Sequence, residues 1–306
     1  MKIITSGSSY LDIDGYACCI AYAELLNLQE IPARAISSAP FNYSVSKGIL
    51  SLCRKIEAPK SIFFELGTEF IIMDVSEPRF FEPFAKDGII VEIYDHHVGF
   101  EEYWKKKLGD KAHIEIIGCA ATLVFEEWEK AGLTSQMSPD TAKIMVAAIL
   151  DNTLNFSASI TNYRDIAAKE KLSVIADIDQ EWCDSYFIEC QDAVENNLFT
   201  SISKDAKTDC NITGLPKTIG QIAIWDAKKF MDRSDDIILT LDTLSSDWML
   251  NVISIKDGKG YIICNNKKQR TRLQSIFNVS FDGNIAIMEK AMLRKEIIKK
   301  AIDSNI

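Results

Sequence analysis

The sequence is poor in the residues that mark several common classes of protein. Its 306 residues include only three His, and its eight Cys form no C-x-x-C pair, so the spacing typical of zinc-ribbon or thioredoxin-type sites is missing. Several Cys, such as Cys18, Cys19 and Cys264, lie within apolar stretches. We therefore expect reduced thiols in a hydrophobic core, and neither a disulfide frame nor a zinc site.

Long hydrophobic runs and excess positive charge are missing as well. No apolar run approaches the ~20 residues that span a bilayer, and the N-terminal residues do not resemble a signal peptide. We therefore expect a cytoplasmic protein with no membrane partner. The net charge of −10 argues against a nucleic-acid partner, which would need a basic face. It permits a local basic pocket for a small phosphorylated substrate.

The order of strand and helix patterns predicts the fold. Short strand patterns alternate with helical patterns over roughly the first 120 residues, and such β-α-β alternation is typical of a parallel sheet. We expect an α/β fold with a doubly wound, mostly parallel sheet in residues 1–195, followed by a smaller α/β domain in residues 196–306. In the second region the patterns predict strands at 218–225, 237–242, 248–254 and 260–264, and helices at 267–277 and 288–302.

Acidic residues follow several predicted elements of the first region. Because ligands of open α/β sheets bind at the carboxyl ends of the strands, these side chains are expected to meet at one edge. Each segment has a simpler explanation when taken alone, since acids often cap helices and polar residues often end strands. The segments are Asp12 and Asp14, Asp74, Asp95-His96-His97, and Asp151.

A cluster of carboxylates indicates a metal site. Bringing several carboxylates together is costly unless cations neutralise them. Oxygen-rich ligands combined with His favour Mn²⁺ or Mg²⁺, with Co²⁺ as an alternative. Two such ions can activate a water and hold a phosphoryl group. The pattern therefore predicts phosphoryl-transfer chemistry.

The motifs of the first region resemble those of the DHH phosphoesterases in order and spacing. The matching segments are D-x-D-G (12–15), M-D-V-S-E-P (73–78), D-H-H (95–97), G-C-A-A-T-L-V-F-E (118–126) and L-D-N-T-L-N-F (150–156).

The second region is similar to the C-terminal domain of the family II inorganic pyrophosphatases and of the exopolyphosphatase/prune proteins. The matching segments are D-A-K (205–207), I-G-Q-I (219–222), D-D-I-I-L-T-L-D-T-L (235–244) and N-N-K-K-Q (265–269). The resemblance implies an active site in the cleft between two domains, and a homodimer.

The resemblance also implies a role for individual residues. Asp12 would bind a first metal ion, Asp74 would bridge two ions, and Asp14, His96 and an acid of the fourth motif, taken as Asp151, would bind the second. Asp74, His97 and Asp95 would form the catalytic group, with His97 contacting substrate phosphate and Asp95 orienting the His pair. The phosphate-binding cations would be Lys207, Lys267 and Lys268, with Arg270 nearby.

Three positions depart from the family pattern. Ser8 stands where the pyrophosphatases have a metal-binding His, which weakens the first metal site. The family Asp of the fourth motif falls on Asn152, with Asp151 one residue early. Asn265 and Asn266 replace a Ser-Arg pair, so a guanidinium suited to phosphate is missing,.

The favoured function is therefore a metal-dependent phosphohydrolase of the exopolyphosphatase type, acting on short polyphosphate or pyrophosphate. Two alternatives stay open. One is a degenerate member of the fold that binds or regulates without catalysis, and the other is a manganese-dependent inorganic pyrophosphatase.

Overall fold

The computed structural model describes residues 1–52, 56–59, 64, 67–208 and 210–304. The chain divides into two compact units, Met1–Tyr186 and Phe187–Ile306. The division falls inside a helix, Gln180–Asn196, and the predicted domain boundary after residue 195 stays a prediction. Among the helices that the structure describes, none combines the length and apolar character that a membrane crossing requires.

The first unit is built on a five-stranded parallel sheet in the order β2-β1-β3-β4-β5. The strands are β1 (Lys2–Thr5), β2 (Ala33–Ala35), β3 (Glu69–Met73), β4 (Ile89–Asp95) and β5 (Ala112–Ile114). The helices are α1 (Ile13–Leu28), α2 (Lys47–Leu52), α3 (Pro83–Lys86), α4 (Glu101–Leu108), α5 (Ala120–Ala131), α6 (Pro139–Asn152) and α7 (Tyr163–Ala176). Helix α8 (Gln180–Asn196) begins in the first unit and ends in the second.

Helices cover both faces of this sheet. On one face, Ala85 of α3 and Trp104 of α4 pack in one cluster with Ile3, Ile72 and Ile93 of the strands. On the other face, the hydroxyl of Tyr22 in α1 lies 3.1 Å from that of Tyr94 in β4. Alternate residues of each strand thus face opposite layers, as the two-residue period of a strand requires. The predicted α/β class with a parallel first sheet is confirmed.

Two helix starts follow from their sequence. The side chain of Ser138 accepts a hydrogen bond from Thr141 N, and Pro139 is the first residue of α6. Ser at the cap and Pro in the first helical position are both favoured at a helix start. The side chain of Asp12 caps α1 by accepting a bond from Gly15 N at 3.0 Å. Helix α2 covers Lys47–Leu52, and residues 53–55 lie outside the described residues.

The second unit contains a mixed five-stranded sheet in the order β6-β7-β8-β10-β9. Strands β6 and β7 pair in parallel and the other pairs are antiparallel. Its elements are α9 (Leu198–Asp205), β6 (Thr218–Ile224), α10 (Ala227–Phe230), α11 (Ser234–Leu244), β7 (Trp248–Ser254), β8 (Gly260–Cys264), α12 (Lys267–Phe277), β9 (Phe281–Asp282), β10 (Ile285–Met288) and α13 (Arg294–Asp303).

Two predictions in this unit are wrong. Residues 237–242, predicted as a strand, belong to helix α11. Ile237 and Leu241, four residues apart, are fully buried, while Leu239 between them is 68% exposed; this is the spacing of a helix and not of a strand. The predicted helix at 288–302 begins only at Arg294, because Ile285–Met288 forms β10 against β8.

Candidate metal centre

The carboxyl ends of three neighbouring strands deliver the predicted acids and histidines to one place. Asp74 directly follows β3, and Asp95 ends β4 and is followed by the His pair. Asp12 and Asp14 lie at the start of α1, which follows β1. One possible metal-ligand atom from each of Asp74, His96 and His97 lies within 4.8 Å of the other two.

Asp74 is the centre of this cluster. Its Oδ1 lies 3.3 Å from His96 Nε2 and 3.8 Å from His97 Nδ1. That oxygen is buried and makes no well-formed hydrogen bond with any described residue. Burial and the neighbouring Asp14 and Asp12 raise the pKa of Asp74 well above its usual value. Its backbone has a φ of 56°, a left-handed conformation that is costly for a residue other than Gly.

The two histidines each bind a fixed acceptor through Nδ1. His96 Nδ1 lies 3.1 Å from the carbonyl oxygen of Ile117, and His97 Nδ1 lies 2.8 Å from Asp95 Oδ1. Each ring therefore keeps its proton on Nδ1 when neutral and presents Nε2, as metal-binding or phosphate-binding His require. The side chain of His96 is only 7% exposed, whereas that of His97 is 64% exposed.

Asp95 holds the backbone and the ring of the His pair. Its Oδ1 accepts hydrogen bonds from His96 N at 2.8 Å and His97 N at 3.1 Å, besides the ring of His97. The carboxylate is fully buried. Asp95 raises the pKa of His97 above its usual value, against the opposing effect of burial.

Asp14 sits on the N-terminus of helix α5. Its Oδ2 accepts a hydrogen bond from Ala120 N and its Oδ1 from Ala121 N, both at 2.9 Å. A helix N-terminus binds anions through such free N–H groups. His96 Nε2 lies 3.8 Å from Asp14 Oδ2, so Asp14 and Asp74 both approach the same imidazole nitrogen.

Asp12 is close enough to the other acids to interact with them electrostatically. Burial and then Asp14 raise the pKa of Asp12, while its bond to Gly15 N lowers it. The capping explanation for Asp12 is therefore correct for one oxygen, and it does not exclude a role in the cluster.

The fourth motif places Asp151 close enough to Asp12 to interact with it electrostatically. Burial first and then Asp12 raise the pKa of Asp151 to about 7, and the hydroxyl of Tyr186 partly offsets this. Tyr186 Oη lies 3.3 Å from Asp151 Oδ1. Asn152 Nδ2 instead donates to the carbonyl of Ala148, one turn back in its own helix.

Ser8 is bound to a neighbouring loop. Its Oγ donates to the carbonyl oxygen of Phe80 at 3.2 Å, and its backbone N donates to the same oxygen at 2.9 Å. The hydroxyl thus has a partner outside the cluster.

The predicted phosphate-binding cations lie in the second unit. Lys207 is exposed, and its backbone pairs with Ile219 in an isolated bridge. Lys267 and Lys268 are exposed in the first turn of α12. Arg270 is engaged structurally, since its Nη1 donates to the carbonyls of Cys264 and Asn265 and to Asn284 Oδ1 at 2.7 to 2.9 Å.

The donor set of the first unit fits a hard divalent cation. A buried carboxylate oxygen that makes no well-formed hydrogen bond is costly unless a nearby positive charge offsets it. Carboxylate together with imidazole suits Mn²⁺ and related ions. Fold and site together define a two-unit α/β protein with an acid-and-histidine cluster at the carboxyl ends of parallel strands.

Comparisons with known proteins support this class. The chain is 24% identical over 260 residues to a Staphylococcus saprophyticus protein named as a probable manganese-dependent inorganic pyrophosphatase, covering 79% of this chain and 78% of that one. It is 25% identical to the manganese-dependent inorganic pyrophosphatase of Methanocaldococcus jannaschii, over 78% of this chain and 80% of that protein. No family model matches the sequence.

Two solved structures share the fold. A Methanococcus jannaschii protein described as a candidate family II inorganic pyrophosphatase superposes with a TM-score of 0.67 and 20% identity, over 99% of both chains. An exopolyphosphatase-related protein from Bacteroides fragilis gives a TM-score of 0.54 and 14% identity, over 99% of this chain and 92% of that one.

Proposed function

We propose that the protein is a metal-dependent hydrolase of phosphoanhydrides, with pyrophosphate or short polyphosphate as substrate and Mn²⁺ as the preferred cation. The observation that carries this proposal is the buried Oδ1 of Asp74, which lies 3.3 Å from His96 Nε2 and 3.8 Å from His97 Nδ1 and makes no well-formed hydrogen bond with a described residue. The names of the relatives agree with both the cation and the substrate class. Mg²⁺ and Co²⁺ are the alternative cations.

Within this proposal, Asp12 would hold the first ion, His96 would hold the second, and Asp74 would serve both. Asp14 and Asp151 supply the further carboxylates for a second ion, and Ser8 leaves the first site one ligand short. A bound divalent cation polarises a phosphoryl oxygen and lowers the pKa of a bound water. Ile117 and Asp95 fix the two rings so that each Nε2 points away from its anchoring acceptor.

His97 serves the substrate. Its ring is largely exposed, and Asp95 favours its charged form by raising its pKa. A charged imidazolium donates a strong hydrogen bond to a phosphate oxygen. Lys207, Lys267 and Lys268 are proposed to supply the remaining positive charge for the phosphates.

The test is phosphate release by the purified, metal-stripped protein. Mn²⁺, Mg²⁺ or Co²⁺ is added back with pyrophosphate, tripolyphosphate, long-chain polyphosphate or a simple phosphodiester. Turnover of a phosphoanhydride is expected with Mn²⁺. Asp74→Asn should abolish it, and the matched surface variant Asp110→Asn should not.

A second candidate is a binding or regulatory protein of the same fold. It is favoured by two hydrogen bonds that engage the side chains at departing positions of the family pattern. Ser8 Oγ donates to the carbonyl of Phe80, and Asn152 Nδ2 donates to the carbonyl of Ala148. Folded protein that binds Mn²⁺ but releases no phosphate from any of these compounds would select this candidate.

Homodimer formation stays a prediction, which light scattering of the purified protein would decide.

A further inference from the structure

One carboxylate far along the chain is buried against the turn that leads into helix α5. Asp165 Oδ2 accepts a hydrogen bond from Gly118 N at 3.0 Å, and Asp165 Oδ1 accepts one from Thr122 Oγ1 at 2.6 Å. Both Asp165 and Thr122 are fully buried. Asp165 therefore holds this segment at two points, one before and one inside the first turn of α5.

The segment between these two points contacts two of the proposed metal ligands. The carbonyl of Ile117 binds His96 Nδ1 at 3.1 Å. The N–H groups of Ala120 and Ala121 bind the two oxygens of Asp14 at 2.9 Å. Residues 117–121 thus set both the ring of His96 and the plane of the Asp14 carboxylate.

Gly118 is packed so closely that it leaves no room for a side chain. A Cβ at this position would lie 2.4 Å from Asp165 Oδ2 and 2.7 Å from the side chain of Thr153, two residues after Asp151. Such a contact forces a shift of a buried group. The close approach means that a movement of Asp165 is transmitted directly to the backbone of the segment.

Helix capping explains only part of this arrangement. Asp165 is the third residue of α7, and its Oδ2 accepts a bond from Asn162 N at 2.7 Å, as in a capping box. The bonds to Gly118 and Thr122 join residues more than forty positions away and contribute nothing to the cap. The same carboxylate therefore does two separable things.

We propose that Asp165 is a positioning residue for the metal centre, which acts through Gly118 and Thr122 on the alignment of Asp14 and His96. This role rests on the proposed function in assuming that these two residues face a cation. Partners of metal ligands act in this way, and their loss costs roughly 10- to 100-fold in metal affinity.

The experiment measures Mn²⁺ affinity by calorimetry on the full chain, together with its melting temperature. Thr122→Val removes the hydroxyl with little change in volume, and Thr122→Ser keeps it. We expect Thr122→Val to weaken Mn²⁺ binding about tenfold, Thr122→Ser to retain it, and Asp165→Asn to weaken it by about 10- to 100-fold.

The control is Asn162→Ala, which removes the side-chain acceptor for Arg164 N at the start of α7 and leaves the bonds of Asp165 in place. It should lower the melting temperature while leaving Mn²⁺ affinity within about twofold. Equal loss of affinity in Asn162→Ala and Thr122→Val would overturn the positioning role, because helix stability alone would then explain it. So would unchanged affinity in Thr122→Val.

The outcome is separable from that of the hydrolysis assay. If the unaltered protein binds Mn²⁺ but releases no phosphate, the proposed function fails, and the affinities of the Thr122 pair still decide the positioning role. If it hydrolyses phosphoanhydrides and Thr122→Val binds Mn²⁺ normally, the hydrolase stands and the positioning role is wrong.

Discussion

Asp151→Asn gives the sharpest prediction, because the same change should stabilise the metal-free protein and weaken the metal-bound one. Burial and the field of Asp12 raise the pKa of Asp151 from 3.8 to about 7. The folded state therefore binds a proton more tightly than the unfolded chain does. Stability from this group is fully present below pH 4 and is lost as the pH rises to about 7.

The size of the effect follows from the shift. Three pKa units correspond to about 4 kcal/mol of lost stability above pH 7, at about 1.4 kcal/mol per unit. An amide cannot ionise, so the variant escapes this loss. In EDTA at pH 8.5, we expect Asp151→Asn to be more stable than the unaltered protein by up to about 4 kcal/mol, with the difference vanishing near pH 4.

The assay is urea unfolding followed by fluorescence from pH 4 to pH 8.5, repeated with saturating Mn²⁺. With Mn²⁺ present the order should reverse, since the carboxylate then binds the cation and a ligand stabilises the state that binds it. Asp110→Asn, on the surface, should show no pH-dependent difference. A variant that is equally destabilised at every pH in EDTA would refute the placement of Asp151 among the other acids.

The remaining predictions concern packing. Gly118→Ala should lower stability by about 1–3 kcal/mol and weaken Mn²⁺ binding, because the new Cβ would collide with the Asp165 carboxylate. An unchanged melting temperature would count against the close packing of Asp165 on Gly118. In urea unfolding, Ile237→Lys should lower the free energy of unfolding by more than about 3 kcal/mol, while Leu239→Lys should change it by no more than about 0.5 kcal/mol. Equal losses in the two variants would argue for a strand at these residues instead of helix α11. His113→Ala removes a ring that is stacked on Tyr94, and it should lower the free energy of unfolding by about 1 kcal/mol. We expect kcat/KM for the preferred phosphoanhydride to stay within twofold of the unaltered protein. Loss of activity in a folded variant would show that His113 matters for function.

The first sheet could be predicted from the sequence because each strand carries its own signal. A short apolar run ending in Asp74 or Asp95 fixes both the strand and the position of the acid. Parallel pairing then brings these acids together without further information. The proximity of the acids and the His pair followed from this local pattern plus one topological rule.

The second sheet was predicted less well because its signals are short and ambiguous. The run I-I-L-T-L suits a strand or a helix, and only the burial of Ile237 and Leu241 against an exposed Leu239 decides for the helix. Strand β9 has two residues, too few to leave a periodic pattern. The packing of the unit overrides the local preference.

Contacts between distant segments were missed for a different reason. The sequence N-Y-R-D shows that Asp165 starts a helix, and it gives no sign that the same carboxylate reaches Gly118 and Thr122. Tyr186, the partner of Asp151, lies in an ordinary amphipathic helix. Such groups carry no motif, since their role depends on which helices pack together.

The acids of the cluster act on the protonation of His96. Although burial lowers the pKa of His96, its contact with Asp74 and the field of Asp14 raise that pKa to about 10. A proton on the ring offsets part of the repulsion among the acids. A cation that binds His96 Nε2 must displace that proton, so metal binding at neutral pH releases protons and grows tighter as the pH rises.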